Sequence, residues 1–337
     1  MTDWLNDAVW ATPRQLALKR ANGAQLSYTM LDGRVKKMAA RLQNAGVLEG
    51  QRVAWLGRDA ARGVTLMFAL ARLRAVFVPL NVRLTTDELL TQVALADARA
   101  LLCERGTEAQ AAPLAGLLDL YSLDAPRAPG VCALPGGFPW EIAYISPAGF
   151  HLHEVQSIIF TSGTTGQPKG AQLTFFNHYA SAQASAQRLG TGADDRWLLT
   201  LPLYHVGGMT IPMRAVLAGA SVIELDMSAG FDAAWLKRTL IDDRITMVSL
   251  VPTMLYRLLE AGLTGTPHLR AILLGGAAAP PDLLERAFDC GLPVAPTYGL
   301  TEACSQVTTM RPEDAPRKPG SVGKPLNGTT VTIARDD

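Results

Sequence analysis

A chain of 337 residues with 48% hydrophobic and 18% charged side chains has the length of roughly two domains and enough apolar content to bury a sizeable core. Its 31 basic and 30 acidic side chains leave a net charge of +1, and no stretch gathers lysine and arginine as a nucleic-acid tract or polybasic membrane patch would, so small-molecule partners are expected. The acidic start Met1 to Asp7 lacks the basic region of a signal peptide, Arg72, Arg74 and Pro252 interrupt the apolar stretches before they could span a bilayer, and Cys103, Cys132, Cys290 and Cys304 form no Cys-x-x-Cys pair; a cytoplasmic protein without a disulfide framework or zinc site is predicted.

Leu31, Val35, Met38, Ala39 and Leu42 share one face of a helix that Gly46 closes, and Arg52 to Leu56 follows as a strand. Val64, Met67, Phe68 and Ala71 repeat the helical spacing, Val76 to Val78 is extended, and Thr85 to Glu88 reads as a capping box for a helix running to about Asp97. Leu101 and Leu102 begin the next strand. From 106 to 154 the periodicity fails, and "DAPRAPGVCALPGGFPW" reads as a variable connection between a first α/β part, 1–105, and a second, 155–310. His151 and His153 would suit a metal pair borne on a strand, but no cysteine or acidic cluster accompanies them, so they are read as surface residues. Strands are expected near Ser157 to Thr161, Trp197 to Thr200, Ser221 to Glu224, Thr246 to Leu250, Arg270 to Leu274 and Val294 to Thr297, with helical segments between them. Such alternation predicts an α/β fold built on largely parallel sheets.

"TSGTTGQPKG", Thr161 to Gly170, follows a buried strand, and helical character begins near Thr174. Its glycines free successive amides to face one anion; Thr161, Ser162, Thr164 and Thr165 add hydroxyl donors, and Lys169 adds a positive charge. A surface turn of this composition needs no lysine held between proline and glycine, and the spacing does not fit a Walker A loop.

The stretch resembles the phosphate-loop signature of the adenylate-forming enzymes. "LPLYHVGG" (Leu201 to Gly208), "LLGGAAAP" (Leu273 to Pro280) and "PTYGLTE" (Pro296 to Glu302) resemble that family's later motifs, in family order. "PLNVRLTTDELL" and "YGLTEACSQVTTMRPEDAPRKPGSVGKPL" are similar, more narrowly, to the o-succinylbenzoate–CoA ligases of menaquinone biosynthesis. The resemblance implies two mainly parallel sheets packed with helices, with the start of a small β subdomain at 311–337. It also implies ATP-dependent conversion of a small-molecule carboxylic acid to its acyl-adenylate, then transfer to coenzyme A, with Mg²⁺ as cofactor. Another aryl- or acyl-CoA ligase is the alternative of the same class. A homo-oligomer is left open.

Under that resemblance the phosphate loop, Thr161, Ser162, Gly163, Thr164, Thr165, Gly166 and Lys169, holds the β and γ phosphates. Gly275, Gly276, Ala277, Thr297, Tyr298 and Gly299 form the adenine side, Thr301 donates to the α-phosphate, and Glu302 is the Mg²⁺ ligand. His205 orients the carboxylate nucleophile, and with Lys169 and Glu302 completes the catalytic set. A second substrate carboxylate cannot be buried unpaired, which makes Arg214, Ser305 and Gln306 its candidate partners. Relatives continue beyond the equivalent of "TVTIARDD" with a ribose-binding aspartate and a small domain carrying an essential lysine. Asp336 and Asp337 lack the Thr-Gly-Asp context and receive no role. The C-terminal small domain is therefore expected to be absent and this chain to be a weak catalyst, or else a binding remnant without catalysis.

Overall fold

The computed structural model describes residues 2–136, 149–163, 166–227 and 230–334. It divides into two compact units, Met1–Phe176 with Pro202–Met209 and Asn177–Leu201 with Thr210–Asp337.

The first unit opens with α1 (Trp4–Ala11), whose N-cap Asp3 accepts from the amides of Leu5 and Asn6. A hairpin of β1 (Leu16–Lys19) and β2 (Gln25–Ser27) leads into α2 (Tyr28–Asn44), capped by Ser27. The helix ends where the sequence predicts: the Gly46 amide donates to the Gln43 carbonyl, with Gly46 at φ 82°. Next come β3 (Arg52–Leu56), α3 (Ala60–Arg72), β4 (Val76–Pro79), α4 (Thr86–Leu95) and β5 (Ala98–Cys103). The capping box at α4 is present in full, with Thr85 and Glu88 each accepting from the other's backbone amide.

Within 106–154, where no period is legible, lie the short helix α5 (Glu108–Ala111), β6 (Asp119–Ser122) and β7 (Cys132–Ala133). β8 (Val155–Thr161) and β9 (Lys169–Thr174) complete a sheet ordered β7-β6-β5-β3-β4-β8-β9. All its neighbours are parallel except β8 and β9. Parallel strands are covered on both faces, which is why β3 to β5 read as nearly continuous apolar runs. Leu56, Val78, Leu80, Leu89 and Leu101, each no more than 1% exposed, form the core under α4. On the other side Arg72 ties three helices together, donating to Asp3 at 2.6 Å and Asp32 at 2.7 Å.

The second unit carries α6 (Phe175–Leu189), β10 (Arg196–Leu199), α7 (Val206–Ala218), β11 (Ser221–Glu224), α8 (Ala233–Asp242), β12 (Met247–Leu250), α9 (Pro252–Glu260), β13 (Ala271–Leu274), α10 (Pro281–Asp289), β14 (Val294–Leu300), β15 (Ser305–Thr309) and β16 (Lys324–Pro325). Its strands run in the order β16-β15-β14-β13-β12-β10-β11. Contacts from β11 to β14 are parallel, and β14, β15 and β16 pair antiparallel. Below the sheet Asp195 accepts from the Thr246 hydroxyl at 2.6 Å, from Arg270 Nε at 2.7 Å and from the Gly192 amide at 2.8 Å. These bonds join the amino-terminal ends of strands that the sequence separates by 75 positions. Among the described residues no helix is long and apolar enough to cross a membrane.

Candidate functional site

The glycine-rich segment Thr161 to Gly170 connects an antiparallel hairpin rather than a strand and a helix. Thr161 of β8 faces Lys169 of β9, and helix α6 begins only after the second strand. Parallel β-strands followed by helices set the expectation; six residues of extended chain at Lys169–Thr174 intervene because Leu173 is buried on the sheet while Gln172 and Gly170 face out. The loop doubles back so tightly that a Cβ at Gly163 would lie 2.0 Å from the Gln167 carbonyl oxygen. That approach requires glycine. Gly166, at φ 81°, donates its amide to the Gly163 carbonyl at 3.0 Å. Ser162, Gly166 and Lys169 are exposed, and Thr161 and Gly163 are half-buried. Thr164 and Thr165 lie outside the described residues, as do Asp336 and Asp337.

In the same unit His205 starts a helical turn, its carbonyl accepting from the Met209 amide. The Tyr204 ring lies 4.7 Å from the imidazole. Surrounding protein pushes the His205 pKa below its usual value and the nearby Arg83 cation lowers it further, so the ring is neutral at pH 7. Arg83 also acts on Tyr204, whose pKa burial raises. The sequence reading passed over Arg83, which stands inside "PLNVRLTTDELL" but gives no local sign of reaching a histidine over a hundred positions away.

The second unit holds the remaining candidates. Gly275, Gly276 and Ala277 follow the carboxyl end of β13, the end at which parallel α/β sheets bind ligands. β14 begins buried at Val294 to Pro296 and emerges from Thr297 onward, so Tyr298 is 53% exposed with a free aromatic face. The Thr297 hydroxyl is engaged by the neighbouring strand, donating to the Thr308 carbonyl at 2.7 Å. That bond ties the side chain to the hairpin and leaves its hydroxyl oxygen able to accept. A Cβ at Gly299 would lie 1.8 Å from the Ser305 carbonyl oxygen, so this glycine lets the chain close a tight turn through Thr301, Glu302 and Ala303. Cys304 and Ser305 complete that turn at φ 54° and φ 96°, a region that side-chain-bearing residues rarely occupy. Glu302 stands exposed at its tip.

Behind the turn lies a buried polar cluster that the sequence suggested only in part. The Ser181 hydroxyl donates to the Cys304 carbonyl at 2.7 Å, and Cys304 Sγ lies 3.4 Å from His178 Nδ1. Burial pushes the His178 pKa down to about 3 and the Cys304 thiol up to about 12, so both are neutral and neither forms a nucleophilic pair. Arg214, 3% exposed, acts electrostatically on both. Its guanidinium sits over the Trp197 ring at 5.6 Å, and Nε, Nη1 and Nη2 all lack a hydrogen-bond acceptor among the described residues. Burial lowers its pKa to about 10, which leaves it charged at pH 7. Gln306 donates through Nε2 to Thr309 Oγ1 at 2.8 Å while its buried Oε1 has no donor among the described residues. His178 and Ser181 were not identified from sequence; single polar residues on a helix carry no signal until the facing strand is known.

In the second unit Tyr298 offers an exposed aromatic face, and exposed Glu302 makes no ion pair among the described residues. No group of three His, Cys, Asp or Glu side chains suited to a metal occurs among the described residues. A cation here would take one carboxylate from the protein and its other oxygens from phosphate and water, the usual habit of Mg²⁺.

A family model for AMP-binding enzymes matches residues 5–337. The chain belongs to the AMP-binding enzyme family. The 2-succinylbenzoate–CoA ligases of Bacillus thuringiensis subsp. konkukian (strain 97-27) and Bacillus cereus (strain AH820) are each 35% identical to it over 338 residues. It spans 66% of the length of these curated relatives, which in turn cover 100% of it. The o-succinylbenzoate CoA synthetase (MenE) of Bacillus subtilis in complex with the acyl-adenylate intermediate OSB-AMP superposes with a TM-score of 0.87 at 32% identity, covering 100% of this chain and 66% of that one. The same enzyme with ATP and magnesium ion gives 0.87 and 32%, covering 100% and 67%. An inhibitor-bound N-terminal domain of FACL13 from Mycobacterium tuberculosis gives 0.81 at 25% identity, covering 97% and 83%. The two mainly parallel sheets with their flanking helices are thus the N-terminal architecture of this AMP-binding family.

Proposed function

We propose that this AMP-binding family member acts in an AMP-forming acid–thiol ligase that activates o-succinylbenzoate and passes it to coenzyme A in the cytoplasm, as a step of menaquinone biosynthesis. One observation carries the substrate reading: Arg214 is a buried cation whose three nitrogens have no hydrogen-bond acceptor among the described residues. A buried charge without a partner costs several kcal/mol, on the order of 3 to 5. A substrate whose far end is a carboxylate supplies the missing partner; a fatty acyl chain does not. Ser305 and Gln306, which follow the Cys304 turn, add polar groups for the same end.

In the first half-reaction an oxygen of the substrate's reacting carboxylate attacks the α-phosphorus of ATP. The bond from that phosphorus to the pyrophosphate oxygen breaks, giving acyl-AMP and pyrophosphate. In the second, the coenzyme A thiolate attacks the acyl carbon, AMP leaves with its oxygen, and the thiol proton passes to solvent. Both anions must be brought together, so the task is charge neutralisation and alignment.

The glycine-freed amides and hydroxyls of 161–166, with Lys169, hold the β and γ phosphates. Tyr298 and the Gly275, Gly276, Ala277 segment flank the adenine, and Thr301 donates to the α-phosphate. Neutral His205 donates a hydrogen bond that orients the attacking carboxylate without burying a second cation. Mg²⁺ held by Glu302 supplies charge neutralisation at the phosphates.

The test is pyrophosphate release over a panel of carboxylic acids. The expected order places o-succinylbenzoate first, with its distal methyl ester at least 30-fold poorer, the loss of about 2 kcal/mol that removal of a charge-assisted bond gives. Palmitate used better than o-succinylbenzoate would overturn the substrate assignment while leaving the ligase class standing.

A further inference from the structure

We propose that a basic pocket of the first unit, formed by the β1–β2 hairpin, α2 and the start of α3, binds a small organic phosphate: a dianionic head carried on a short apolar body. The pocket measures about 310 Å³, at the lower end of the range for small-molecule sites and large enough for one ring with a phosphate.

Arg20, Arg34, Lys37, Arg41 and Arg62 line it. Two of the five are neutralised within the fold: Arg20 pairs with Asp59 at 2.5 Å, and Arg62 makes a two-pronged bond to Asp124 at 2.9 and 3.0 Å. The other three are not. Among the described residues Arg41 donates only to neutral oxygens, the carbonyls of Pro135 and Leu134, both at 3.0 Å. Arg34 and Lys37 make no ion pair among the described residues and are exposed. At spacings of three and four residues, Arg34, Lys37 and Arg41 stand on one face of α2 and direct their charges to the same opening.

Like charges gathered at one mouth repel one another, so the arrangement weakens the free fold and is relieved by an anion. A further sign is Arg20 Nε, buried and without an acceptor among the described residues, although the other end of that guanidinium is paired. A buried donor of this kind calls for an oxygen. The floor is apolar, with Leu26 at 2% exposure beside Met38 and Leu123. Cations at the rim over an apolar floor select an anion with a hydrophobic body over a bare inorganic one. The pocket is a single concavity in a chain of net charge +1, which disfavours nucleic acid.

Phenyl phosphate serves as the probe, titrated calorimetrically into the chain carrying Lys169→Ala so that the phosphate loop does not compete. Saturable binding is expected, tighter than for inorganic phosphate, and weakened at least tenfold by adding Arg34→Glu and Lys37→Glu. Both positions are exposed, so the substitutions leave the fold intact, as a melting temperature no lower than the parent's would confirm. Absence of saturable binding, or equal affinity with and without the two charge reversals, would overturn the site. Equal affinity for inorganic phosphate would overturn the role given to the apolar floor.

Discussion

Arg214 is where one side chain decides most. Arg214→Met keeps an unbranched apolar stem and removes a buried charge that has no hydrogen-bond acceptor among the described residues. Without ligand the variant should melt no lower than the parent, since replacing an unpaired buried ion with an apolar group is neutral or stabilising. With o-succinylbenzoate its kcat/KM should fall about 100-fold, equivalent to about 3 kcal/mol. A melting temperature that drops while specificity holds would show Arg214 to be structural. Lys169 and Glu302 separate in another way. Lys169→Ala should raise the KM for ATP, whereas Glu302→Gln should lower kcat and make pyrophosphate release depend on Mg²⁺ at higher concentration. Indifference of Glu302→Gln to metal would remove the carboxylate from the metal site.

Among the elements, the β8–β9 hairpin carries the sharpest prediction. A methyl group at Gly163 would meet the Gln167 carbonyl at 2.0 Å, so Gly163→Ala should weaken ATP binding at least tenfold, read by calorimetry. Thr85→Ala deletes the N-cap oxygen of α4 and should cost about 1 kcal/mol in denaturant unfolding without touching nucleotide affinity. The contrast between these two shows what was legible in the sequence. The α4 capping box, the Gly46 helix stop and the buried strands could be read because each signal is local: a side chain three residues on, a glycine, an apolar run. The β9 strand was missed because its alternation, with one residue in Leu173 fully buried, is too short to stand out beside the phosphate loop. β6 and β7 were missed because they sit at the sheet edge among prolines and glycines, where packing and not propensity decides. In the site, motif order located the loops, but the His178, Ser181, Cys304 and Arg214 grouping joins α6, α7 and the turn before β15, and no local pattern encodes that meeting.

At the scale of the whole molecule, stability should fall on acidification in two stages. His178 is held neutral by burial with its pKa at about 3, so the unfolded chain takes up the proton first as pH drops below about 6.5. Native stability is complete above that value and declines beneath it, by on the order of 2 kcal/mol at pH 5. Asp195 acts lower: burial alone would raise its pKa, but the bonds from Arg270, Thr246 and the Gly192 amide outweigh burial and hold it below the ordinary carboxylate range. Its contribution is present above about pH 4 and is lost as pH falls through the depressed native value. Urea unfolding at pH 7 and pH 5 checks the first stage, and His178→Gln should flatten it. The central claim is that one protein recognises both an adenylate and an acyl group ending in a carboxylate. Calorimetric titration with a non-hydrolysable sulfamoyl analogue of o-succinylbenzoyl-AMP tests it most directly. The account predicts saturable one-to-one binding, weakened at least tenfold by Gly163→Ala and separately by Arg214→Met, and at least 30-fold tighter than the corresponding palmitoyl analogue. Equal affinity for the two analogues, or binding that ignores both substitutions, would contradict it.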